Sequence, residues 1–255
     1  MSSDYCIYPL KVNNSKLNEV EKFPFDIPFC VCALGRVRAG KTVLINNLFL
    51  SDRFYKNDFD IKILISSTAR NDAQNEWLLD DFDYVFDEYS EELIEMIIKD
   101  MIQEDEEPNR YLLVLDDIIG SVKQKKSGNV DKLSALITKY RHIANKNGDE
   151  GKLSIFITCQ YFKYLSNTLR NNLSGLCLMG DYSKKELDKI SESYSYFGGS
   201  DKEFKKIYDN SHKEKFDFLY LDCKRVEAYR SFSEKIYSHD DEKNKINKIN
   251  DNLDK

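Results

Sequence analysis

The sequence predicts an α/β fold: a doubly wound, three-layer sandwich around a mainly parallel central sheet. Three observations carry this prediction. Short apolar runs alternate with helix-like segments along most of the 255 residues. Two middle runs, 111–117 (YLLVLDD) and 153–159 (LSIFITC), are apolar almost without interruption, as strands buried on both faces are. A glycine-bearing loop joins the first run to an apolar segment of helical length.

Taken in order, residues 1–28 are polar and broken by Pro9, Pro24 and Pro28, and read as an arm leading to a domain at 29–237. Strands are expected at 29–35 (FCVCALG), 61–67 (IKILISS), 111–117, 153–159, 175–180 (GLCLMG) and 216–223 (FDFLYLDC). A helix, TVLINNLFL, follows the glycine loop. A second, at 90–103 (SEELIEMIIKDMIQ), starts at Ser90, a good N-cap, with Glu91 and Glu92 favoured by the helix dipole. A third, at 131–146 (DKLSALITKYRHIANK), sets Leu133, Leu136, Ile137, Tyr140 and Ala144 on one face. The last run follows a long polar stretch, so it adds to a sheet edge or forms a hairpin within a C-terminal strand and helix extension. Residues 238–255 are a polar tail, a frayed helix or disordered.

A chain of this length suits one domain with a solid core. With 38 Lys and Arg against 44 Asp and Glu, the net charge of −6 argues against a protein that coats nucleic acid nonspecifically. Any such contact must come from a local patch or from assembled subunits. The six cysteines (Cys6, Cys30, Cys32, Cys159, Cys177 and Cys223) sit mostly in apolar runs without zinc spacing. They read as buried free thiols in a reducing compartment. No apolar stretch approaches the ~18 residues of a membrane span, and the N-terminus lacks the pattern of a secretory signal. An intracellular, soluble protein is the expectation.

The chemistry concentrates in Gly35-Arg36-Val37-Arg38-Ala39-Gly40-Lys41-Thr42. Between a strand and a helix, this spacing lets the backbone curl its N–H groups inward around phosphate, at the positive end of the helix dipole. Lys41 would reach the β- and γ-phosphates of ATP, and Thr42 would ligate Mg²⁺. Asp116 ends an apolar strand and would hold the Mg²⁺ through water. Asp117 beside it would orient or deprotonate an attacking water. A kinase has no need of that second acid, and a GTPase would carry Asn-Lys-x-Asp, which the sequence lacks. The pair points to hydrolysis that drives mechanical work.

Gln160 ends the next strand, where it would touch the γ-phosphate or the water. Arg141 flanks the apolar stripe of its helix, and is either a cation at the helix C-terminus or an arginine finger for a neighbouring subunit. Arg170, in LSNTLRNN, competes for the finger role, and His142 is assigned no catalytic part. Arg36 and Arg38 occupy the motif's variable positions and project towards a neighbour or into solvent.

The series GRVRAGKT, YLLVLDD, YRH before a strand ending in Gln160, LSNTLRNN and FLYLDCKRVEAYRSF resembles the FtsK–HerA superfamily of P-loop ATPases. The resemblance covers about residues 25–235, and its nearest likeness is to the genome-packaging ATPases of poxvirus type in large DNA viruses and virophages. It implies a RecA-like P-loop fold and a ring of subunits, a hexamer or pentamer, driving double-stranded DNA through a central pore with ATP and Mg²⁺. It also implies a capsid or portal partner, no membrane, and a location in the host cytoplasm or viral factory. Carried over by position, Lys41 and Thr42 bind phosphate and metal, Asp116 is the metal acid, Gln160 the sensor and Arg141 the finger. Cellular members of the superfamily place Glu where Asp117 stands, and the shorter side chain requires a closer backbone. A HerA-like helicase or mobilisation motor, and a nucleotide-dependent switch that binds proteins, are the alternatives. Lys123, Lys125 and Lys126 in GSVKQKKSGN are the candidate DNA contacts.

Overall fold

The computed structural model describes residues 24–71, 76–104, 109–118, 131–143 and 153–240. Among them a single sheet of nine strands runs β3-β2-β4-β5-β1-β6-β7-β8-β9. The strands are β1 (Cys30–Gly35), β2 (Ile61–Ser66), β3 (Tyr84–Phe86), β4 (Tyr111–Asp116), β5 (Leu153–Cys159), β6 (Gly175–Met179), β7 (Phe218–Asp222), β8 (Glu227–Arg230) and β9 (Glu234–Ser238). The first six are mutually parallel, while β7, β8 and β9 add as an antiparallel meander. The final apolar run is therefore the inner strand of this meander, and β9 takes the edge.

Helices α1 (Lys41–Leu50), α2 (Glu76–Asp81), α3 (Glu91–Met96), α4 (Lys132–Ile143), α5 (Asn167–Asn172), α6 (Lys184–Ser193) and α7 (Asp201–Ser211) lie on the two faces. Ser90 caps α3 as expected, accepting from the Leu93 N–H at 3.0 Å. The segment beyond it is not the continuous α-helix expected over 90–103. It widens into π-helical turns over Ile97–Gln103, and the Glu104 N–H reaches back five residues to the Lys99 carbonyl. In α4 the stripe of Leu133, Leu136, Ile137 and Tyr140 is buried, while Arg141 and His142 are exposed. Ala144 of that stripe lies outside the described residues, as do most of the N-terminal arm and most of the polar tail.

Strand alternation divides the core in two. Cys30, Cys32 and Leu34 of β1 face a cluster completed by α3 to α7, and Val31 and Ala33 face a second one against α1 and α2. The second cluster is aromatic: Phe25, Phe29, Phe49, Tyr55, Phe59 and Phe156 all have 7% or less of their surface exposed. Phe49 meets Phe156 edge-on at 5.3 Å, and Phe25 stacks on Tyr55 at 5.6 Å. Each fully buried ring contributes about 1.5–3 kcal/mol through removal of apolar surface from water. The Tyr55 hydroxyl also holds the backbone of Phe25, accepting from its N–H at 2.6 Å and donating to its carbonyl at 2.8 Å. Cys30, Cys32, Cys159 and Cys177 are buried free thiols, and Cys6 lies outside the described residues. Burial pushes the Cys30 thiol up to about 12 and the Cys159 thiol to about 11, so both are unreactive near neutral pH.

Candidate active site

Parallel strands bring their C-terminal ends to one edge of the sheet, where β1 runs into the loop 35–40 and then α1. Gly35 is required by close approach: a Cβ there would lie 2.7 Å from the Met179 carbonyl oxygen and 2.9 Å from the Ala39 Cβ. Gly40 is required by its backbone, left-handed at φ 95°, which turns the loop into α1. The Ala39 N–H closes the loop on the Arg36 carbonyl at 3.1 Å. Lys41 bends back over it, its ammonium donating to the carbonyls of Gly35 at 2.7 Å and Arg36 at 3.2 Å. Arg36, Val37 and Arg38 are exposed, while Ala39, Gly40, Lys41 and Thr42 are half-buried.

The acids arrive through strand register. Ser66 pairs with Asp116 across β2 and β4, and Leu115 pairs with Ile157 across β4 and β5, so Thr158 lies beside Asp116. All three lie on the α1 face, the face of Leu64, Val114 and Phe156. Both oxygens of the buried Asp116 carboxylate are engaged. The Ser66 hydroxyl donates to Oδ2 at 2.9 Å, and the Thr158 hydroxyl donates to Oδ1 at 2.7 Å. The same Thr158 oxygen accepts from the Asp117 N–H at 2.8 Å. One hydroxyl thus sets the Asp116 side chain and the Asp117 backbone together.

Asp117 is itself left-handed at φ 55°. That turn swings its carboxylate away from Asp116 and onto Gln160, whose side-chain amide donates to it. Burial pushes the Asp117 carboxyl above the ordinary carboxylate range. The Gln160 amide and the Lys41 ammonium pull it part of the way back, and the Asp116 charge adds to the rise. The phosphate loop, both acids and Gln160 therefore share one end of the sheet. Ser66 and Thr158 complete the group without having been singled out in the sequence. Their signal was slight, a hydroxyl closing or nearly closing each of two otherwise apolar runs.

The donor set suits a nucleoside triphosphate with Mg²⁺. Among the described residues no group of three or more His, Cys, Asp or Glu side chains is placed to hold a metal ion. Mg²⁺ is commonly held by one or two protein oxygens together with phosphate oxygens and water, and Thr42 and Asp116 are the residues that would hold it here.

The two candidate arginine fingers are each engaged with an aromatic side chain. Arg141 closes α4, donating from Nε to the Tyr140 hydroxyl at 3.0 Å, and its charge acts on Cys30 and Lys224. Cys30 begins β1, about 17 Å of strand from the loop at its far end, so Arg141 cannot reach the phosphate loop of its own chain. Arg170 is folded inward, its guanidinium 4.0 Å from the Phe162 ring centroid and donating to the Phe162 carbonyl at 3.4 Å. Lys123, Lys125 and Lys126 lie outside the described residues.

Solved structures share this fold at low sequence identity. The genome-packaging NTPase B204 of Sulfolobus turreted icosahedral virus 2, in complex with AMP, is 16% identical with a TM-score of 0.60, over 81% of this chain and 98% of that one. B204 of Sulfolobus turreted icosahedral virus, described as its DNA-packaging ATPase, is 17% identical with a TM-score of 0.58, over 80% and 97%. The conjugation coupling protein TcpA of pCW3, with ATPγS, is 14% identical with a TM-score of 0.53, over 87% and 65%. No curated protein matches the sequence significantly. The family model described as "Poxvirus A32 protein" matches residues 20–215, most of the chain and the whole span from the glycine loop to Gln160, and the chain belongs to that family.

Proposed function

We propose that this protein is an ATP-hydrolysing motor that drives double-stranded DNA into a preformed viral capsid. The observation that carries the reading is the Asp117–Gln160 pair, held beside the phosphate loop and separate from the Asp116 carboxylate. Membership of the A32 family and a fold shared with the B204 packaging NTPases support a packaging motor over the alternatives.

In this reading the loop N–H groups and Lys41 hold the β- and γ-phosphates. Thr42 and Asp116 hold Mg²⁺, which when bound neutralises charge on the phosphate oxygens. Asp117, placed by the Thr158 hydroxyl, accepts hydrogen from the attacking water, and Gln160 fixes the carboxylate and senses the γ-phosphate. Water adds to the γ-phosphorus as the bond to ADP breaks, giving ADP and phosphate. Arg141 serves a neighbouring subunit in a ring of five or six, where it stabilises charge on the transferring group. Lys123, Lys125 and Lys126, repeated around the pore, contact DNA phosphates despite each subunit's net charge of −6. A capsid or portal protein anchors the ring, in the host cytoplasm or viral factory.

The test is ATP turnover with and without double-stranded DNA. The expected result is hydrolysis stimulated by DNA, abolished by Lys41→Ala. Neutralising the three lysines is expected to remove the stimulation and leave basal hydrolysis. Hydrolysis indifferent to DNA would favour a nucleotide-dependent switch.

A further inference from the structure

The phosphate loop has an occupied side and an open side. Asp116, Asp117 and Gln160 lie at the ends of β4 and β5, on one flank of β1, and a triphosphate must point its γ end at them. The nucleoside must then leave on the other flank, over β6 and β7. There the turn before β7 carries Phe216 beside the loop. A Cβ built on Gly40 would lie 3.9 Å from Phe216 Cδ1 and 3.6 Å from Met179 Cε.

Phe216 is unusual in two respects. The residue is 62% exposed, so burial does not explain it. Its backbone is left-handed at φ 71°, a region that bulky residues avoid. The turn is nevertheless firmly built around the next residue. Asp217 accepts from the backbone N–H groups of Lys213 at 3.2 Å and Glu214 at 2.8 Å, and from Arg230 Nε of β8 at 2.8 Å. The Ser231 hydroxyl adds a longer contact to Asp217 at 3.4 Å. These contacts hold a strained, solvent-facing aromatic ring next to the point where α1 begins.

We infer that Phe216 is the platform on which the nucleobase stacks, with Asp217 and Arg230 as the residues that position it. The inference rests on the nucleotide reading of the loop and deepens it, by giving the site a group that recognises the base as well as the phosphates. Aromatic stacking accepts any base, because every base presents a π-face. Lys215, its ammonium 5.0 Å from the ring centroid, borders the platform.

Equilibrium binding of Mg-ADP and of inorganic tripolyphosphate to the full chain tests this, comparing wild type with Phe216→Ala, Phe216→Tyr and Lys41→Ala. Phe216→Ala is expected to weaken ADP binding about tenfold, the scale of one lost base stack. Tripolyphosphate affinity should not change, since that ligand has no base, and Phe216→Tyr should retain wild-type ADP affinity. Wild-type ADP affinity in Phe216→Ala, with binding lost in Lys41→Ala, overturns the platform and leaves the nucleotide site standing. Equal loss of ADP and tripolyphosphate in Phe216→Ala also overturns it, by making the ring a prop for the phosphate loop. If wild type binds neither ligand, the platform and the nucleotide reading fall together.

Discussion

Asp117 holds a charge in a place that resists it. Its carboxyl is raised above the ordinary value of 3.8, first by burial, so the ionised form opposes folding. The sign follows from linkage: the cost is full above the folded-state pKa and vanishes below the unfolded-state value. Asp117→Asn is therefore expected to melt at a higher temperature than wild type at neutral pH, with the gap closing in acid, while ATP turnover falls tenfold or more. If Asp117 accepts hydrogen from the attacking water as proposed, the acid limb of kcat/KM should also fall at a higher pH than an ordinary aspartate would give, because protonation removes that acceptor. A pH–rate profile and paired thermal melts check both. Thr158 is the other decisive residue. Thr158→Val leaves a buried carboxylate oxygen and the Asp117 N–H without their shared partner, which costs about 1–3 kcal/mol. Turnover should drop with it, and Thr158→Ser, which keeps the hydroxyl, should recover most of both in urea melts and steady-state assays. Asp116 and Asp117 were legible as two acids closing an apolar run. The hydroxyl that organises them was not, because a threonine inside LSIFITC looks like any β-branched strand residue until the neighbouring strand is in register.

At the scale of elements, the parallel strands were plain in the sequence and the C-terminal half was less so. The polar stretch before FDFLYLDC hides α6 and α7, whose buried stripes are narrow: Ile190 in one, Phe204, Ile207 and Tyr208 in the other. Their starts carried a signal, since Ser183 precedes Glu186 and Ser200 precedes Glu203 at capping-box spacing. Both serines cap their helices in the structure, accepting from the N–H groups of Glu186 and Glu203 at 3.3 Å. Ser200→Ala is expected to cost about 1 kcal/mol in a urea melt and to leave KM for ATP unchanged, since α7 holds none of the phosphate site. Strand β3 was invisible for a different reason: three residues, YVF, are too few to show a period, and only pairing with β2 makes them a strand.

For the whole molecule, the length of β1 separates Arg141 from the edge that carries the glycine loop and the two acids. Arg141 lies about one strand length from its own phosphate loop, so any catalytic part it plays is in a second copy. Mixing two inactive variants tests this directly. Arg141→Ala and Lys41→Ala subunits are each expected to hydrolyse little ATP alone. Mixed, they should recover a substantial fraction of turnover wherever an intact loop meets an intact Arg141. No recovery in rings of confirmed mixed composition would return Arg141 to the role of a cation at a helix end. The sequence by itself determined the α/β class and marked the glycine loop, the two acids and Gln160 as candidates, because each depends on local residue order: a strand, a turn, a helix start, a strand end. Tertiary structure alone decided that one threonine hydroxyl serves both acids, that Arg141 stands at the far end of the sheet, and that Phe216 sits beside Gly40. Those facts depend on which strands are neighbours and in what register, and that is settled by packing across the sheet, between residues far apart in the chain.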